Sequence, residues 1–528
     1  MNGAVTSGPS DVTGASPRSS RAGAPLRTGL WAHLVFAVLL LTSAGTVAAA
    51  PVYVADSQSG EATSLCYQRK TFRDDSGYFW IFYFDGTNTS YKRSDDTTGA
   101  AWLAASQLFY AGDVQPSVWF ASDSVWVAFS DGGNVLVRSG VVSGATISWS
   151  PTYTALAGDA TASYDRASVC RSTDGLIWIT ARVETPAGYQ VCAVRSTDPN
   201  DVSSWQSAET ISPVFPIDTV FSLVVPLTGG DVYTVWSRQG WIEGKRYVSG
   251  TGWEAAAAPI AQGVQGDPDK LFSAVSDRYG NVHLLYVSRF GPVCYRSYDG
   301  TAWSSEQVLS GPDAGSPSLS INPSNQRLYA LWIEDRKVEC RSAVQPASSG
   351  DWRTEDVNRG RARKSGLTSC YSSPTRVSWL FLQGRNPPVA IMTDGLAVAK
   401  ISVLVSVSSF SFGTQPVNTW LPAQNTQITN DGTWSEHIYA ELSQFTSGPF
   451  SWAISDVSNG ADLCRAQWST VSDVGPWNDV PSYGSEFLVT TDLPAGGSVT
   501  LYFRIQTPTS TSSLDQYSSN LTVRAEDS

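Results

Sequence analysis

The sequence is poor in histidine, with three among its 528 residues. His33 lies in the N-terminal segment and His437 in the C-terminal quarter of the chain, which leaves His283 for the long middle part. A Ser-His-Asp or Cys-His mechanism needs a histidine as general base beside the nucleophile. Such a mechanism is therefore nearly excluded, and carboxylates, tyrosines and arginines remain as candidates for chemistry.

Two further absences narrow the choice of ligand. No spacing of cysteine and histidine resembles a zinc site and no EF-hand loop is present, so we predict no metal site and no cofactor. No run of Lys and Arg accompanies aromatic residues, and the formal net charge is −12. This charge pattern argues against a nucleic-acid partner.

Apolar runs long enough for a signal peptide or a membrane span are confined to the N-terminal region. One apolar stretch spans residues 30–41, follows a segment containing Arg18, Arg21 and Arg27, and leads to the small residues 47–49. This pattern is typical of a signal peptide, here residues 1–49, with an uncleaved anchor as the alternative. No second apolar run of membrane-spanning length follows, so we predict a secreted or cell-surface protein whose body is extracellular.

The chain does contain a five-residue hydrophobic signature that returns seven times, at gaps of 46 to 55 residues. Each copy is β-branched or aromatic and is bounded by Gly, Asp or Asn, which favours a strand buried on both faces. A fixed period of this length indicates a repeat fold. We therefore predict an all-β chain with a seven-bladed β-propeller over residues 50–397. The second residues of the seven copies are Trp80, Trp126, Trp178, Tyr233, His283, Tyr329 and Ser378.

The alignment of the seven repeats predicts that several reactive side chains are core residues. His283 occupies a slot that is aromatic in most other copies, so we predict that it packs in the core. Cys170 and Cys370 stand eight residues before the second signature position, where the other repeats carry apolar residues. We expect both to pack as small hydrophobic side chains. The other cysteines are too few and too scattered for a disulfide framework.

A turn late in the fifth repeat resembles a known family. Residues 297–303 read Ser-Tyr-Asp-Gly-Thr-Ala-Trp, which resembles a shortened Asp box of the bacterial-neuraminidase (BNR) repeats in sialidase-like propellers. Looser copies begin at Ser94 and Ser196. The resemblance implies structural turns on the outer rim, in which Asp binds backbone donors and Trp fills the gap between strands. Sialidases of this family have six blades and an Arg-Ile-Pro motif, whereas this chain has seven repeats and Tyr67-Gln68-Arg69 at the corresponding place.

The seventh repeat lacks the Trp strand that ends the other repeats. Residues 51–56, before the first repeat, have no other partner. Closing the ring would remove exposed strand edges. We therefore predict that residues 51–56 form the outer strand of the seventh blade.

The pattern changes beyond about residue 398. Apolar residues alternate with polar ones from Val499 to Ile505, as in a half-buried strand of a sandwich. The stretches 410–413 and 428–432 resemble immunoglobulin-like modules of microbial surface proteins. We predict a C-terminal immunoglobulin-like β-sandwich over residues 398–528, and the resemblance implies a role as tether or self-assembly module.

The loops that lead into the inner strands converge at the mouth of a propeller, where ligands commonly bind. Blades two to five place acids there, and blades seven and one place bases, so the mouth is predicted to be electrically polarised. The alternative is that these are solvated turn residues, because Asp is common where a chain enters a strand. The candidate ligand-binding residues are Arg69, Asp113, Arg166, Asp269, Arg361, Arg363 and Lys364.

Two functions remain open, and with them the question of catalysis. In the first, the propeller binds an extracellular glycan or a surface protein without catalysis. In the second, the chain is a sialidase-like glycoside hydrolase or polysaccharide lyase acting on acidic polysaccharide. Asp165 or Asp218 would then be the general acid/base and Tyr67 a nucleophile or base, while Arg69, Arg166 or Arg363 would hold a sugar carboxylate.

Overall fold

The structure is a computed structural model, and the predicted signal peptide lies outside the residues that it describes. Within the described part, no residue is in an α-helix, and short 3₁₀ helices occur at Thr228–Gly230 and Ser349–Asp351. No helix of that part is long and apolar enough to cross a membrane. The described residues are 50–528 except 66, 239, 265–270, 345, 347, 356, 358–362, 398–401, 408–411, 413, 414, 433, 434, 483, 484, 514, 515 and 528.

The described residues between 52 and 397 form seven antiparallel sheets of four or five strands. The first sheet comprises Thr71–Arg73, Phe79–Phe84, Thr89–Arg93 and Gln107–Tyr110. The second comprises Ser117–Ala121, Ser124–Asp131, Asn134–Ser143, Thr146–Trp149 and Tyr153–Leu156. The third comprises Ser163–Arg171, Ile177–Thr185, Gly188–Arg195 and Glu209–Thr210. The fourth comprises Phe221–Pro226, Val232–Arg238, Trp241–Val248, Gly252–Trp253 and Ala258–Gln262.

The remaining three sheets follow the same order. The fifth comprises Phe272–Ser276, Val282–Val287, Val293–Tyr298 and Gln307–Val308. The sixth comprises Gly315–Ile321, Arg327–Glu334, Lys337–Val344 and Arg353–Thr354. The seventh comprises Lys364–Ser369, Arg376–Gln383, Val389–Ala397 and, from the N-terminal end, Val52–Ser57.

The first strands of the seven sheets form a closed ring. Each contacts the first strand of the next sheet, and the first strand of the seventh sheet contacts that of the first. This gives a propeller-like arrangement in which the first strands surround a common centre. All seven copies of the hydrophobic signature lie in second strands. They are buried because neighbouring sheets cover both of their faces; Trp80 and Trp178, for example, are at most 1 % exposed.

The N-terminal strand completes the seventh sheet, as predicted. Val52–Ser57 pairs antiparallel with Val389–Ala397, with Val52 opposite Thr393 and Ser57 opposite Val389. The same segment also reaches the first sheet, because the Ser57 hydroxyl donates to the carbonyl of Phe84 over 2.7 Å. It therefore lies between the last and the first sheet of the ring.

The turns that resemble Asp boxes are held by their aspartates. Asp299 Oδ1 accepts from the Thr301 hydroxyl at 2.7 Å and from the amides of Thr301 and Ala302 at 2.8 Å each. These hydrogen bonds lower the pKa of Asp299 to about 2. Trp303 Nε1 donates to the Tyr233 hydroxyl over 3.1 Å and so connects the fifth sheet to the fourth. In the turn that starts at Ser196, the accepting carboxylate is that of Asp201.

The predicted core roles of the cysteines are confirmed. Cys170 and Cys370 are fully buried, the first within and the second directly after a first strand. Burial raises the pKa of both thiols. The cysteines of the described residues are all free thiols.

His283 is buried in the second strand of the fifth sheet, as predicted, and it also forms polar contacts. Its Nδ1 hydrogen-bonds the Tyr295 hydroxyl at 2.7 Å, and its Nε2 lies 3.4 Å from Asp277 Oδ2. The imidazole is stacked on the Tyr295 ring, with 6.1 Å between the centroids. The side chain is therefore both a packing residue and a hydrogen-bonding link inside the sheet.

His283→Phe is expected to lower the free energy of unfolding by about 1 to 3 kcal/mol, because it leaves buried polar partners unsatisfied. Denaturant unfolding measures this difference. The double variant His283→Phe/Tyr295→Phe removes the hydroxyl as well, so it should recover part of the loss. An unchanged midpoint in the single variant would mean that packing alone explains this residue.

The described residues after 402 form two further sheets. The larger contains Val403–Val405, Gln424–Asn430, Phe445–Ser447, Phe450–Ser455, Leu463–Ser469, Asn478–Asp479 and Ser498–Gln506. The smaller contains Glu436–Leu442, Phe487–Leu493 and Leu521–Asp527. Ile428 and Leu501 of the larger sheet share one apolar core with Ile438 and Val489 of the smaller. The alternation predicted around residue 501 is present, since Leu501, Phe503 and Ile505 are buried.

Candidate functional site

A β-bulge places Arg166 at the start of the first strand in the third sheet. The pairing with the second strand shifts between Asp165 and Ser168, and Arg166 adopts a left-handed backbone with φ of 56°. The sixth and seventh sheets have the same shift, with positive φ at Ser316 and Gly366. A bulge re-aims side chains, and non-glycine residues held at positive φ concentrate at functional sites. The backbone thus marks Arg166 as a candidate site residue.

Asp165 is bound by an arginine of the neighbouring strand. Arg182 Nε donates to Asp165 Oδ1 at 2.8 Å, and Arg182 Nη2 donates to Oδ2 at 2.5 Å. The two residues are direct partners across the strands. Such a bidentate contact occupies both carboxylate oxygens and fixes the planes of the guanidinium and the carboxylate.

The two arginines share one backbone acceptor. Arg166 Nη1 and Arg182 Nη1 both donate to the carbonyl of Asp218, the second over 2.7 Å. The Arg166 guanidinium carbon lies 4.1 Å from the centroid of the Phe221 ring, and its Nε lies 4.0 Å from Asp165 Oδ2. Burial and the neighbouring Arg182 lower the pKa of Arg166, but a guanidinium keeps its charge at neutral pH.

Aromatic rings contact this group. Tyr67 is buried between Phe221 and Phe272, and its hydroxyl donates to the carbonyl of Arg166 over 3.5 Å. The Arg182 guanidinium lies over the Tyr189 ring at 4.8 Å. The Arg166 cluster is defined here as Asp165, Arg166, Arg182, Tyr189 and Asp218.

The fourth sheet adds a third arginine close to the Arg166 cluster. Tyr189 is bridged to Phe215, and the Arg238 guanidinium lies 5.5 Å from the Phe215 ring. Arg238 also stacks over Trp241 at 5.8 Å and pairs with Glu243 at 2.6 Å. The third and fourth sheets therefore present arginines and aromatic rings side by side.

Arg69 lies at the centre of the ring. It is 6 % exposed, and its guanidinium donates to the carbonyls of Ala274 at 3.0 Å and Leu319 at 2.6 Å. Further hydrogen bonds join it to the hydroxyls of Ser318 and Ser369, both at 3.3 Å. Arg69 thus connects the first strands of the fifth, sixth and seventh sheets. The adjoining cavity has a volume of about 10 Å³, room for roughly one water molecule.

The other predicted site residues do not join the Arg166 cluster in one group. Lys364 is buried, donates to the carbonyl of Arg336 at 3.3 Å, and has a pKa lowered by burial. Arg363 and Asp113 are exposed. Asp269 and Arg361 lie outside the described residues. The structure therefore brings together Tyr67, Asp165, Arg166 and Asp218, whose roles stay predictions.

Comparison with known proteins gives remote structural similarity. No protein-family model matches the sequence, and no curated protein matches it. Among solved structures, the polysaccharide lyase Uly1 is similar with a TM-score of 0.42 at 9% identity, covering 63% of this chain and 90% of that one. The NanB sialidase of Streptococcus pneumoniae gives 0.40 at 9% identity, covering 60% of this chain and 83% of that one. The α-L-arabinofuranosidase Arb93A of Fusarium graminearum gives 0.40 at 11% identity, with coverages of 66% and 98%.

Sequence reasoning missed Arg182, although a signal was present. Arg182 stands four residues after the second signature position, where the other six copies carry Phe, Ser, Ser, Val, Ile and Leu. A charged side chain in a slot that is otherwise apolar or small needs a partner. Asp165 is that partner, and it lies on the adjacent strand. Tyr189 and Arg238 carried no comparable signal.

The Arg166 cluster is suited to binding an anion. Arg166 has a side chain 22% exposed, whereas that of Arg182 is 9% exposed. The two guanidiniums and the carboxylates of Asp165 and Asp218 make the cluster formally neutral, but Arg182 holds the Asp165 carboxylate, which leaves Arg166 as the guanidinium without a bidentate carboxylate partner among the described residues. Asp218 is exposed, and no described residue donates a hydrogen bond to its carboxylate. Among the described residues there is no group of three or more His, Cys, Asp and Glu that could hold a metal ion.

Proposed function

We propose that the chain is an exported, extracellular glycan-binding protein that acts without catalysis. It consists of a seven-bladed, sialidase-like β-propeller with Asp-box turns and an immunoglobulin-like C-terminal sandwich. The ligand is an anionic or hydroxyl-rich glycan that binds at the Arg166 cluster. The single observation that carries this proposal is the left-handed, bulged backbone that holds the Arg166 guanidinium on Phe221 beside Arg182.

Geometry supports anion binding through preorganisation. Arg166 is held by its bulge, by stacking on Phe221 and by the carbonyls of Asp218 and Val220. An arginine fixed in this way loses little conformational entropy when it forms a bidentate contact with a carboxylate of the ligand. The neighbouring Tyr189 offers an aromatic surface for a sugar, and its hydroxyl donates to Glu184 Oε1 over 3.4 Å.

The same geometry favours binding over catalysis. Acid/base work at a glycosidic bond uses two carboxylates with separate roles. Both oxygens of Asp165 accept from Arg182, which leaves this carboxylate engaged. Tyr67 is 2% exposed, so its hydroxyl is poorly placed to attack a substrate. Asp218 and Glu184 are exposed carboxylates here, and Glu184 Oε1 accepts a hydrogen bond from the Tyr189 hydroxyl at 3.4 Å.

The C-terminal sandwich serves as tether or assembly module in this proposal. The support is the resemblance of its sequence to immunoglobulin-like modules, together with two sheets that share one core. Export rests on the signal-peptide pattern of residues 1–49.

Arg166→Ala is expected to weaken glycan binding by about tenfold, the loss of one charge-assisted contact. A glycan array that includes uronic-acid, sialic-acid and neutral glycans, followed by titration of the strongest hit, measures this. Arg278→Ala is the matched control. Arg278 also stacks over an aromatic ring, that of Tyr279 at 4.9 Å, but it is exposed and lies in the turn after the first strand of the fifth sheet. Equal binding by Arg166→Ala and wild type on every glycan would refute the site.

The hydrolase or lyase alternative is tested with the same ligand. Asp218→Asn keeps the backbone carbonyl that orders both arginines, so binding should persist. Release of reducing ends and absorbance from unsaturated products should be absent for wild type. Turnover by wild type that Asp218→Asn abolishes would instead establish the enzyme.

A further inference from the structure

The outer face of the larger sandwich sheet carries two arginines. Leu501, Phe503 and Ile505 of strand Ser498–Gln506 are buried, and Arg504 alternates with them and is half-buried. Because successive side chains of a strand point to opposite faces, Arg504 lies on the face away from the core. Arg465 lies on the neighbouring strand Leu463–Ser469, paired with this one.

Two tryptophans hold the Arg504 guanidinium. Its carbon lies 4.4 Å from the ring centroid of Trp420 and 4.3 Å from that of Trp477. Its Nε and Nη2 donate to Gln467 Oε1 at 3.1 and 2.7 Å. Cation–π contacts and hydrogen bonds together fix the position and plane of the guanidinium.

The charges of this group do not balance. Asp479 accepts from Arg465 Nε at 2.8 Å and from Arg465 Nη2 at 2.9 Å, so its carboxylate is paired with Arg465. No described carboxylate accepts a hydrogen bond from Arg504, and no described residue accepts from its Nη1. Burial and the neighbouring Arg465 lower the pKa of Arg504, yet it stays charged at neutral pH. One positive charge thus remains unmatched on a chain whose formal net charge is −12.

Amide side chains continue the surface beside Trp420. Trp420 is bridged to Gln506, and Gln506 Nε2 lies 3.5 Å from Asn418 Oδ1. Asn459 Nδ2 also donates to Asn418 Oδ1, over 2.9 Å. Amides both donate and accept hydrogen bonds, which suits the hydroxyls of a sugar.

We propose that this face is a second binding site, for a polysaccharide that carries carboxylate or sulfate groups. The Nη1 edge of Arg504 binds the anion, and the amides of Gln506 and its neighbours bind hydroxyls. Charge complementarity selects the acidic polymer over a neutral one. The site is separate from the Arg166 cluster, so the full-length chain holds a polymer through each of its two β-regions.

The test uses the secreted chain with Arg166→Ala, which weakens binding at the propeller site and so reduces its share of the measured binding. Binding is measured to immobilised polygalacturonate, dextran sulfate and neutral dextran. Arg504→Gln is expected to weaken binding to at least one acidic polymer by about tenfold. The difference should shrink as salt rises, because a partly exposed charge is screened. The acidic polymer that responds identifies carboxylate or sulfate as the ligand group.

Arg524→Gln is the matched control. Arg524 also stacks on an aromatic ring, that of Tyr439 at 4.8 Å, but it is paired with Glu486 and Glu526. Its charge is already matched, so this variant should bind as the parent does.

Asp479→Asn distinguishes binding from a merely structural network. It frees Arg465 and raises the positive charge of the face, so affinity for the acidic polymer should rise by about threefold. Weakened binding in both Asp479→Asn and Arg504→Gln, with lowered melting temperatures, would show a structural network and overturn the proposal. Unchanged binding by Arg504→Gln, or equal binding of neutral dextran, would also overturn it. If Arg504→Gln changes the sedimentation coefficient of the chain but leaves polysaccharide binding unchanged, the partner of this face is a second copy of the chain. That result would overturn the proposal of a polysaccharide ligand.

Discussion

A chain that starts at residue 58 is expected to lose the single cooperative unfolding transition of the ring and to aggregate. It lacks Val52–Ser57, so Val389–Ala397 becomes an unpaired edge strand. Val54 is 3% exposed and packs with Phe79 and Ile391, so an apolar contact between the seventh and first sheets is lost as well. Exposed edges with apolar neighbours pair with other chains.

The matched control starts at residue 50 and keeps the whole strand. Thermal unfolding and light scattering compare the two chains at equal concentration. A cooperative, monomeric transition in the shorter chain would show that the ring closes without its N-terminal strand.

Trp126→Ala is expected to lower the free energy of unfolding by about 3 to 5 kcal/mol, the usual cost of emptying a large aromatic site in a core. Trp126 is 2% exposed, lies opposite Trp119 on the adjacent strand, and belongs to the core shared by the second and third sheets. Denaturant unfolding gives this value from the shift of the midpoint at constant slope.

Phe290→Ala is the control for Trp126→Ala. Phe290 is 85% exposed, so its removal should change stability by less than about 0.5 kcal/mol. A loss below 1 kcal/mol in Trp126→Ala would contradict the interpretation of the signature as the central core strand.

Local pattern was enough to find most of the strands. Residues 79–83 and their six counterparts are largely apolar on both faces, and short runs of this kind bounded by turn residues are typical of strands covered by neighbouring sheets. The N-terminal strand was found by elimination, because the seventh repeat lacked an outer strand and residues 51–56 lacked a partner. The core strands can be inferred from the residues of a single repeat. The closing strand can be inferred by comparing the seventh repeat with the other six.

The candidate site was less accessible to such reasoning. The spacing placed Asp165, Arg166 and Asp218 near the mouth, and the structure brings them together. The spacing predicted no partner for Asp165, because its partner Arg182 follows 17 residues later in the sequence and lies on another strand. It also grouped Arg69 with surface bases, whereas Arg69 is buried and bound by backbone carbonyls.

The sequence by itself determined the all-β class, the repeat, the core strands and the strand that closes the ring. Continuous apolar runs at a fixed spacing mark the core strands, and the missing outer strand of the seventh repeat marks the need for a closing strand. The tertiary structure alone decided which charged side chains meet. A bulge shifts the register of a strand and re-aims the side chains beside it, so Arg166 stacks on Phe221 beside Arg182 while Arg69 fills the centre. Such changes of register produce no periodic pattern in the sequence, because they depend on how two strands pair.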